Sequence, residues 1–152
     1  MEHTIKRFGL YGFVLALLLF LGGLTSGKGM DFSSQEVIGY LTMIVSLSFV
    51  FFGIKHFRDR ENNGKLGFRK GVLIGLLISA FTAVGIAVAD FIYTTAINPD
   101  FFEEYSAVMR AEGFKGEIPD YGSGFLALMM FLIVMIIGLI ISLISALILQ
   151  RE

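Results

Sequence analysis

The sequence predicts an all-α fold, an integral membrane four-helix bundle with a short outer amphipathic helix. Four long runs contain no Asp, Glu, Lys, Arg or His, namely 8–24, 37–54, 71–89 and 125–149. Charged residues make up 16% of the chain, against about 25% in soluble domains, and the mean hydropathy is +0.77. A helix needs about 20 mostly apolar residues to cross a bilayer. Four spans and their connections therefore account for residues 1–152, which we predict to form a single transmembrane domain.

The first span, 8–24, follows the basic residues Lys6 and Arg7. A basic start before a short apolar run is also typical of a signal peptide, with cleavage near Thr25 and Gly27 as the alternative. The run is longer than the usual signal core, and its removal would place the carboxyl end on a side that its charges disfavour. We therefore expect it to be kept as a membrane span.

The second span, 37–54, follows a stretch in which Ser33 and Glu36 have the spacing of a capping box. Ser33 is the predicted N-cap. After this span, Asn62-Asn63-Gly64 is typical of a tight reversal with positive backbone φ. The second and third spans are therefore predicted to pack as an antiparallel pair.

The third span begins near Gly71, and its helix is predicted to continue to Ile97. Asn98 and Pro99 then have the order of an N-cap and a first helical residue. Apolar residues recur at helical spacing over 100–112, which predicts a short amphipathic helix. Two placements remain open: on the outer membrane surface, or as a cap on the outer ends of the bundle. The last span, 125–149, is long enough to tilt.

The basic residues are unevenly distributed between the two sides of the predicted membrane. Nine of the twelve lie in the amino-terminal tail, the 55–70 connection and the carboxyl end. Cytoplasmic segments carry excess Lys and Arg, so both termini are predicted to be cytoplasmic in a bacterial inner membrane. The 55–70 connection contains Lys55, Arg58, Arg60, Lys65, Arg69 and Lys70. Such clusters attract anionic lipid, although their role in setting topology also explains them.

Small residues recur every four positions on the third and fourth spans. One ridge contains Gly71, Gly75 and Ser79, and the other contains Gly138, Ser142 and Ala146. Ridges of this kind let helix backbones approach closely in lipid. The two ridges lie at matching depth, so we predict that they face each other within one chain. Dimerisation through the same ridge is the alternative.

Few polar residues lie within the spans. Ser46, Ser48, Ser79 and Thr82 are near mid-membrane depth. They are either substrate contacts of a transporter or, as we expect, partners in interhelical hydrogen bonds. Asp90 lies about 28 Å along the third span, which favours an interfacial position over a buried proton or cation site. It is nevertheless the best single candidate for chemistry.

Other motifs do not predict a catalytic or cofactor site. Gly22, Gly27 and Lys28 have the spacing of a phosphate-binding loop, but Gly29 follows where Ser or Thr is required. The two histidines lack the spacing of metal ligands, and cysteine is absent. A loose Ca²⁺ site in the acidic 98–124 connection is less expected than a solvated surface. We expect no cofactor and no nucleic-acid partner.

Several phrases together resemble a known family. They are Glu36-Val37-Ile38-Gly39-Tyr40-Leu41-Thr42-Met43-Ile44, Gly53-Ile54-Lys55-His56-Phe57-Arg58-Asp59, Asn98-Pro99-Asp100-Phe101 and the ending from Gly138 to Leu149. Their order and spacing resemble the bacterial four-span membrane family catalogued as domain of unknown function 4199. The resemblance implies four helices and an inner-membrane location. It implies no activity, cofactor or catalytic residue.

The contents of the spans favour a non-enzymatic membrane protein that acts by association with itself, lipid or a partner protein. Packing residues are abundant in the spans, and reactive groups are few. The alternative is a small transporter or channel component that uses Asp90 and the mid-membrane hydroxyls. A third hypothesis is a lipid-modifying enzyme that uses Asp90 or the outer acidic residues, but it needs a polar cavity at the outer interface that the sequence does not show.

Overall fold

Five helices account for most of the chain in a computed structural model, which describes residues 1–151 and leaves residue 152 outside the described range. They are α1 (Glu2–Ser26), α2 (Phe32–His56), α3 (Phe68–Ile92), α4 (Phe101–Ala111) and α5 (Ser123–Leu149). A π-helical turn extends α2 over Phe57–Glu61, and another extends α3 over Tyr93–Ile97. Helices α1, α2, α3 and α5 are long and apolar enough to cross a membrane. The predicted all-α bundle is therefore confirmed.

The N-cap of α2 differs from the predicted one. Asp31 caps the helix: its carboxylate accepts from the Ser34 backbone N–H at 3.4 Å and from the Ser34 hydroxyl at 2.6 Å. The hydroxyl bond holds the pKa of Asp31 below its usual value. The capping box predicted at Ser33 is wrong, because a carboxylate placed before the first helical residue satisfies the free amides instead.

The start of α4 also differs from the prediction. The helix begins at Phe101 after Asp100, not at Pro99, so the N-cap predicted at Asn98 is wrong. Asn98 is 4% exposed, and its side-chain nitrogen donates to Glu104 Oε2 at 3.1 Å and Tyr93 Oη at 3.4 Å. It therefore ties α4 to the end of α3.

Aromatic contacts place α4 on the ends of the long helices. The Phe101 ring lies 5.8 Å from the Phe32 ring of α2 and 6.1 Å from the Tyr93 ring, measured between centroids. Tyr105 also contacts Phe32, at 5.8 Å. These contacts agree with the cap placement, and the placement of α4 on the outer membrane surface stays a prediction.

Helix α3 lies at the centre of the bundle and packs on α1, α2 and α5. Its small residues meet those of α5. A Cβ on Gly71 would lie 2.9 Å from Ala146 Cβ, and a Cβ on Gly75 would lie 2.5 Å from Ser142 Oγ. Because the helix axes are this close, the ridge is buried inside one chain and is not exposed to a second copy.

The two ends of the bundle carry different charges. We call the end formed by residues 1–6, 55–70 and 150–151 the basic end, and the end formed by 27–31 and 98–122 the acidic end. At the basic end, Leu66 and Arg151 exchange backbone hydrogen bonds of 2.7 and 2.9 Å, and the Thr4 hydroxyl donates to Glu61. Asn63 and Gly64 have φ of 53° and 77°, as the predicted reversal requires.

Candidate functional site

Asp90 is buried near the acidic end of α3. It is only 6% exposed, and its Oδ2 atom has no hydrogen-bond partner within residues 1–151. The depth predicted for Asp90, near the end of the helix, agrees with the structure, but the expectation that its side chain simply reaches water is wrong. A residue near the end of a helix reaches water freely only if that end is uncovered, and here Phe32 and two residues of α4, Phe101 and Tyr105, line the same cavity as Asp90.

A cavity of about 280 Å³ lies beside Asp90, between the ends of α2 and α5 and under α4. This volume is just below the range of about 300–1,000 Å³ for small-molecule pockets. Every helix contributes to its wall. The lining residues are Phe20, Leu24, Phe32, Gln35, Glu36, Gly39, Tyr40, Met43, Asp90, Tyr93, Phe101, Tyr105, Met130 and Ile133.

Aromatic rings form the outer part of the cavity wall. Phe101 and Tyr105, which lie one turn apart on α4, are stacked with their centroids 6.4 Å apart. Phe32 and Tyr93 meet Phe101 edge to face. The bond from Asn98 to Glu104 holds α4 so that these rings remain over the cavity.

The cavity is acidic. Asp90 and Glu36 are its charged lining residues, and Asp90 is buried whereas Glu36 is exposed. The lining that the structure describes contains no Lys, Arg or His. It also contains no Ser, Thr or Cys that could act as a nucleophile. The arrangement is therefore suited to binding through charge and aromatic contacts.

The mid-bundle hydroxyls do not make the interhelical hydrogen bonds expected from the sequence. Ser79 Oγ donates to the Gly75 carbonyl of its own helix at 2.8 Å, and Ser142 Oγ donates to the Gly138 carbonyl at 2.6 Å. Ser46 and Thr82 are 0% exposed. Their hydroxyl oxygens have no partner within the described part of the chain. Ser48 donates to the carbonyl of Val45.

The basic connection is not uniformly exposed. Lys55, Arg60, Lys65, Arg69 and Lys70 are exposed. Arg58 is 9% exposed, and it donates to Asp59 Oδ1 at 2.6 Å and to the Leu149 carbonyl at 3.4 Å. Arg58 therefore joins α5 to the end of α2 and differs from the other five, which face the surroundings.

Most of the cavity wall was not identified from the sequence. Tyr40, Met43 and Met130 lie within apolar runs, where a cavity residue and a lipid-facing residue have the same character. In the sequence, the cavity is indicated by Asp90 together with the aromatic residues on one face of α4. Within residues 1–151, no three His, Cys, Asp or Glu side chains are grouped as metal ligands.

Comparison with known families gives a match over almost the whole chain. A family model described as "Protein of unknown function (DUF4199)" matches residues 7–151. No curated protein and no solved structure matches the chain.

Proposed function

We propose that this chain, which belongs to the family DUF4199, is a non-enzymatic protein of the bacterial inner membrane that acts by association. In this proposal the cavity beside Asp90 binds a small molecule or the headgroup of a lipid. The observation that carries the proposal is the buried Asp90 carboxylate, which lines the cavity and whose Oδ2 has no hydrogen-bond partner in the described chain. Burying a charged group without a partner is costly. A fold that keeps such a group beside a cavity is best explained by a ligand that completes it.

The composition of the cavity supports binding over catalysis. General acid–base or nucleophilic chemistry needs a second reactive group placed near the first. Glu36 is the other carboxylate of the lining, and it is exposed while Asp90 is buried. The remaining lining consists of aromatic, aliphatic, methionine, glycine and glutamine residues.

The charges of the two ends support an orientation. Eight of the twelve Lys and Arg residues belong to the basic end, and three belong to the acidic end. The positive-inside rule then places this end in the cytoplasm and the acidic end outside. In this orientation the cavity opens on the outer side. The five exposed cations of the 55–70 connection face the inner leaflet, where anionic lipid attracts them.

Native mass spectrometry of the full chain, released from mild detergent, tests the proposed function. The wild type should retain a bound small molecule or lipid. Gly39→Leu should lose it, because Gly39 lines the cavity and a Cβ there is 3.7 Å from Phe20. Gly22→Leu is the matched control, since a Cβ at Gly22 meets no described atom within 4 Å. Equal retention by Gly39→Leu and Gly22→Leu would contradict the proposal.

A second candidate function is that of a small transporter or channel component. Its specific support is that three buried polar atoms lack partners in the described chain: Ser46 Oγ, Thr82 Oγ1 and Asp90 Oδ2. The test is flux of Na⁺, K⁺ and protons in proteoliposomes. Flux that is abolished by Asp90→Asn and kept in Glu103→Gln would support this candidate. Absence of flux, or flux that is unchanged in Asp90→Asn, would contradict this candidate function.

A further inference from the structure

The Asp90 cavity combines a buried carboxylate with a group of aromatic rings. We infer that its ligand carries an ammonium group on a compact apolar body. This inference rests on the proposed function, because it names the class of ligand that the same cavity takes.

The charge of the cavity argues for a cation. Asp90 is 94% buried, from an exposed fraction of 6%, and its Oδ2 lacks a donor within the described residues. Glu36 adds a second carboxylate to the lining. An anionic ligand would meet two like charges, and a neutral ligand would leave Asp90 without a counter-charge. An ammonium group supplies the opposite charge.

The aromatic rings argue for the same class of ligand. Phe32, Tyr93, Phe101 and Tyr105 surround the outer part of the cavity. Centroid distances of 5.8, 6.1 and 6.4 Å join Phe101 to Phe32, Tyr93 and Tyr105 respectively. The faces of such rings carry negative potential and attract organic cations. Aromatic residues around an ammonium ligand are a common use of this attraction.

The floor of the cavity argues for an organic cation and against a metal ion. Phe20, Leu24, Met43, Met130 and Ile133 give that part of the wall an apolar surface. A hard metal ion such as Ca²⁺ requires six to eight oxygen ligands, which this wall does not provide. A compact hydrocarbon attached to the nitrogen would bury this apolar surface. A lipid amine and a free amine share this chemistry.

Equilibrium dialysis with radiolabelled benzyltrimethylammonium tests the inference on the full chain in detergent. The variant is Asp90→Asn, which removes the charge and keeps the shape of the side chain. The matched control is Glu103→Gln, which removes an exposed acidic charge from α4 outside the cavity lining. We expect saturable binding to the wild type and to Glu103→Gln. Binding to Asp90→Asn should be roughly tenfold weaker or more. Unchanged binding to Asp90→Asn would overturn the inference.

Two further probes separate the class of ligand from the existence of the site. Benzenesulfonate is an anion and benzyl alcohol is neutral, and both keep the aromatic ring. Binding of benzenesulfonate as tight as that of the cation would overturn the ammonium inference. Benzyl alcohol could bind to the wild type and not to Gly39→Leu, while the binding of every probe is unchanged in Asp90→Asn. The cavity would then bind a ligand that is not an ammonium compound. If no probe binds and mass spectrometry finds no ligand, the proposed function fails as well.

A final experiment distinguishes a lipid headgroup from a free amine as the source of the ammonium group. The protein is placed in nanodiscs of phosphatidylglycerol with or without phosphatidylethanolamine, and benzyltrimethylammonium binding is measured again. Competition by phosphatidylethanolamine would assign the site to a lipid headgroup. Binding unaffected by phosphatidylethanolamine, and still dependent on Asp90, would assign it to a free amine. Both results support ammonium recognition.

Discussion

Gly75 of α3 lies so close to Ser142 of α5 that a Cβ on Gly75 would be 2.5 Å from Ser142 Oγ. The Ser142 hydroxyl is already bonded to the carbonyl of Gly138. Gly138 in turn lies next to Ser79, because a Cβ on Gly138 would be 2.5 Å from Ser79 Cβ. Helices α3 and α5 are therefore matched at consecutive turns by a glycine of one helix against a serine of the other.

Gly75→Ala should destabilise the bundle by about 1–3 kcal/mol, because the added methyl group overlaps the Ser142 side chain. Thermal unfolding in detergent measures the effect. Gly22→Ala is the control: a Cβ at Gly22 meets no described atom within 4 Å, and alanine should gain up to about 1 kcal/mol in helix propensity. Light scattering should give the same mass for both variants. A change of oligomeric mass in Gly75→Ala alone would instead show that the ridge joins two copies.

Gly12 and Thr82 provide a coupled pair between α1 and α3. A Cβ on Gly12 would overlap the Thr82 hydroxyl, whereas Thr82 Cβ is 3.6 Å away. Gly12→Ala alone should therefore cost about 1–3 kcal/mol of unfolding free energy. In a Thr82→Ala background the same change should cost close to nothing, which gives a coupling of about 1–3 kcal/mol. Equal costs in the two backgrounds would show that the contact does not limit packing.

Asp90→Asn should stabilise the ligand-free protein while weakening ligand binding. The substitution removes a buried charge that has no partner among the described residues. The free energy of unfolding should therefore rise by about 1–3 kcal/mol. The melting temperature in detergent, measured after extensive washing, reports the change. Glu103→Gln, which lies on the exposed part of α4, should leave it unchanged. A lower melting temperature for Asp90→Asn would show that the carboxylate stabilises the fold itself.

Asn98→Ala should loosen α4 without unfolding the bundle. The substitution removes the donor that binds Glu104 and Tyr93, and a buried polar contact of this kind contributes about 1–3 kcal/mol. Hydrogen exchange should become faster in the amides of 101–111 and remain slow in α3. Asn62→Ala removes a comparable bond, to the Lys65 carbonyl at the basic end, and should leave α4 protected. Equal protection of α4 in both variants would contradict the role of Asn98.

The absence of cysteine from the sequence makes the orientation directly measurable. Lys65→Cys and Glu112→Cys introduce single thiols at exposed positions of the basic and acidic ends respectively. A membrane-impermeant maleimide should label Glu112→Cys in intact spheroplasts and Lys65→Cys only after lysis. Labelling of both thiols in intact spheroplasts would show that the two ends share a compartment and would overturn the four-span arrangement.

The sequence by itself determined the number of helices, their approximate limits and the turn at Asn63-Gly64. These features depend on local properties: the length of an apolar run, and the positive φ that Asn and Gly tolerate. The recurrence of Gly71, Gly75 and Ser79 also indicated where the helices approach closely, because only small residues permit that spacing.

Only the tertiary structure decided the surroundings of the polar residues. A count along α3 gives the depth of Asp90, but Phe20 and Phe32, which line the cavity beside it, come from segments distant in the chain. The burial of Arg58 likewise depends on Leu149. In water, a polar helix face distinguishes the surface from the core. In a membrane both faces are apolar, so the sequence pattern does not show which side chains face lipid and which line a cavity.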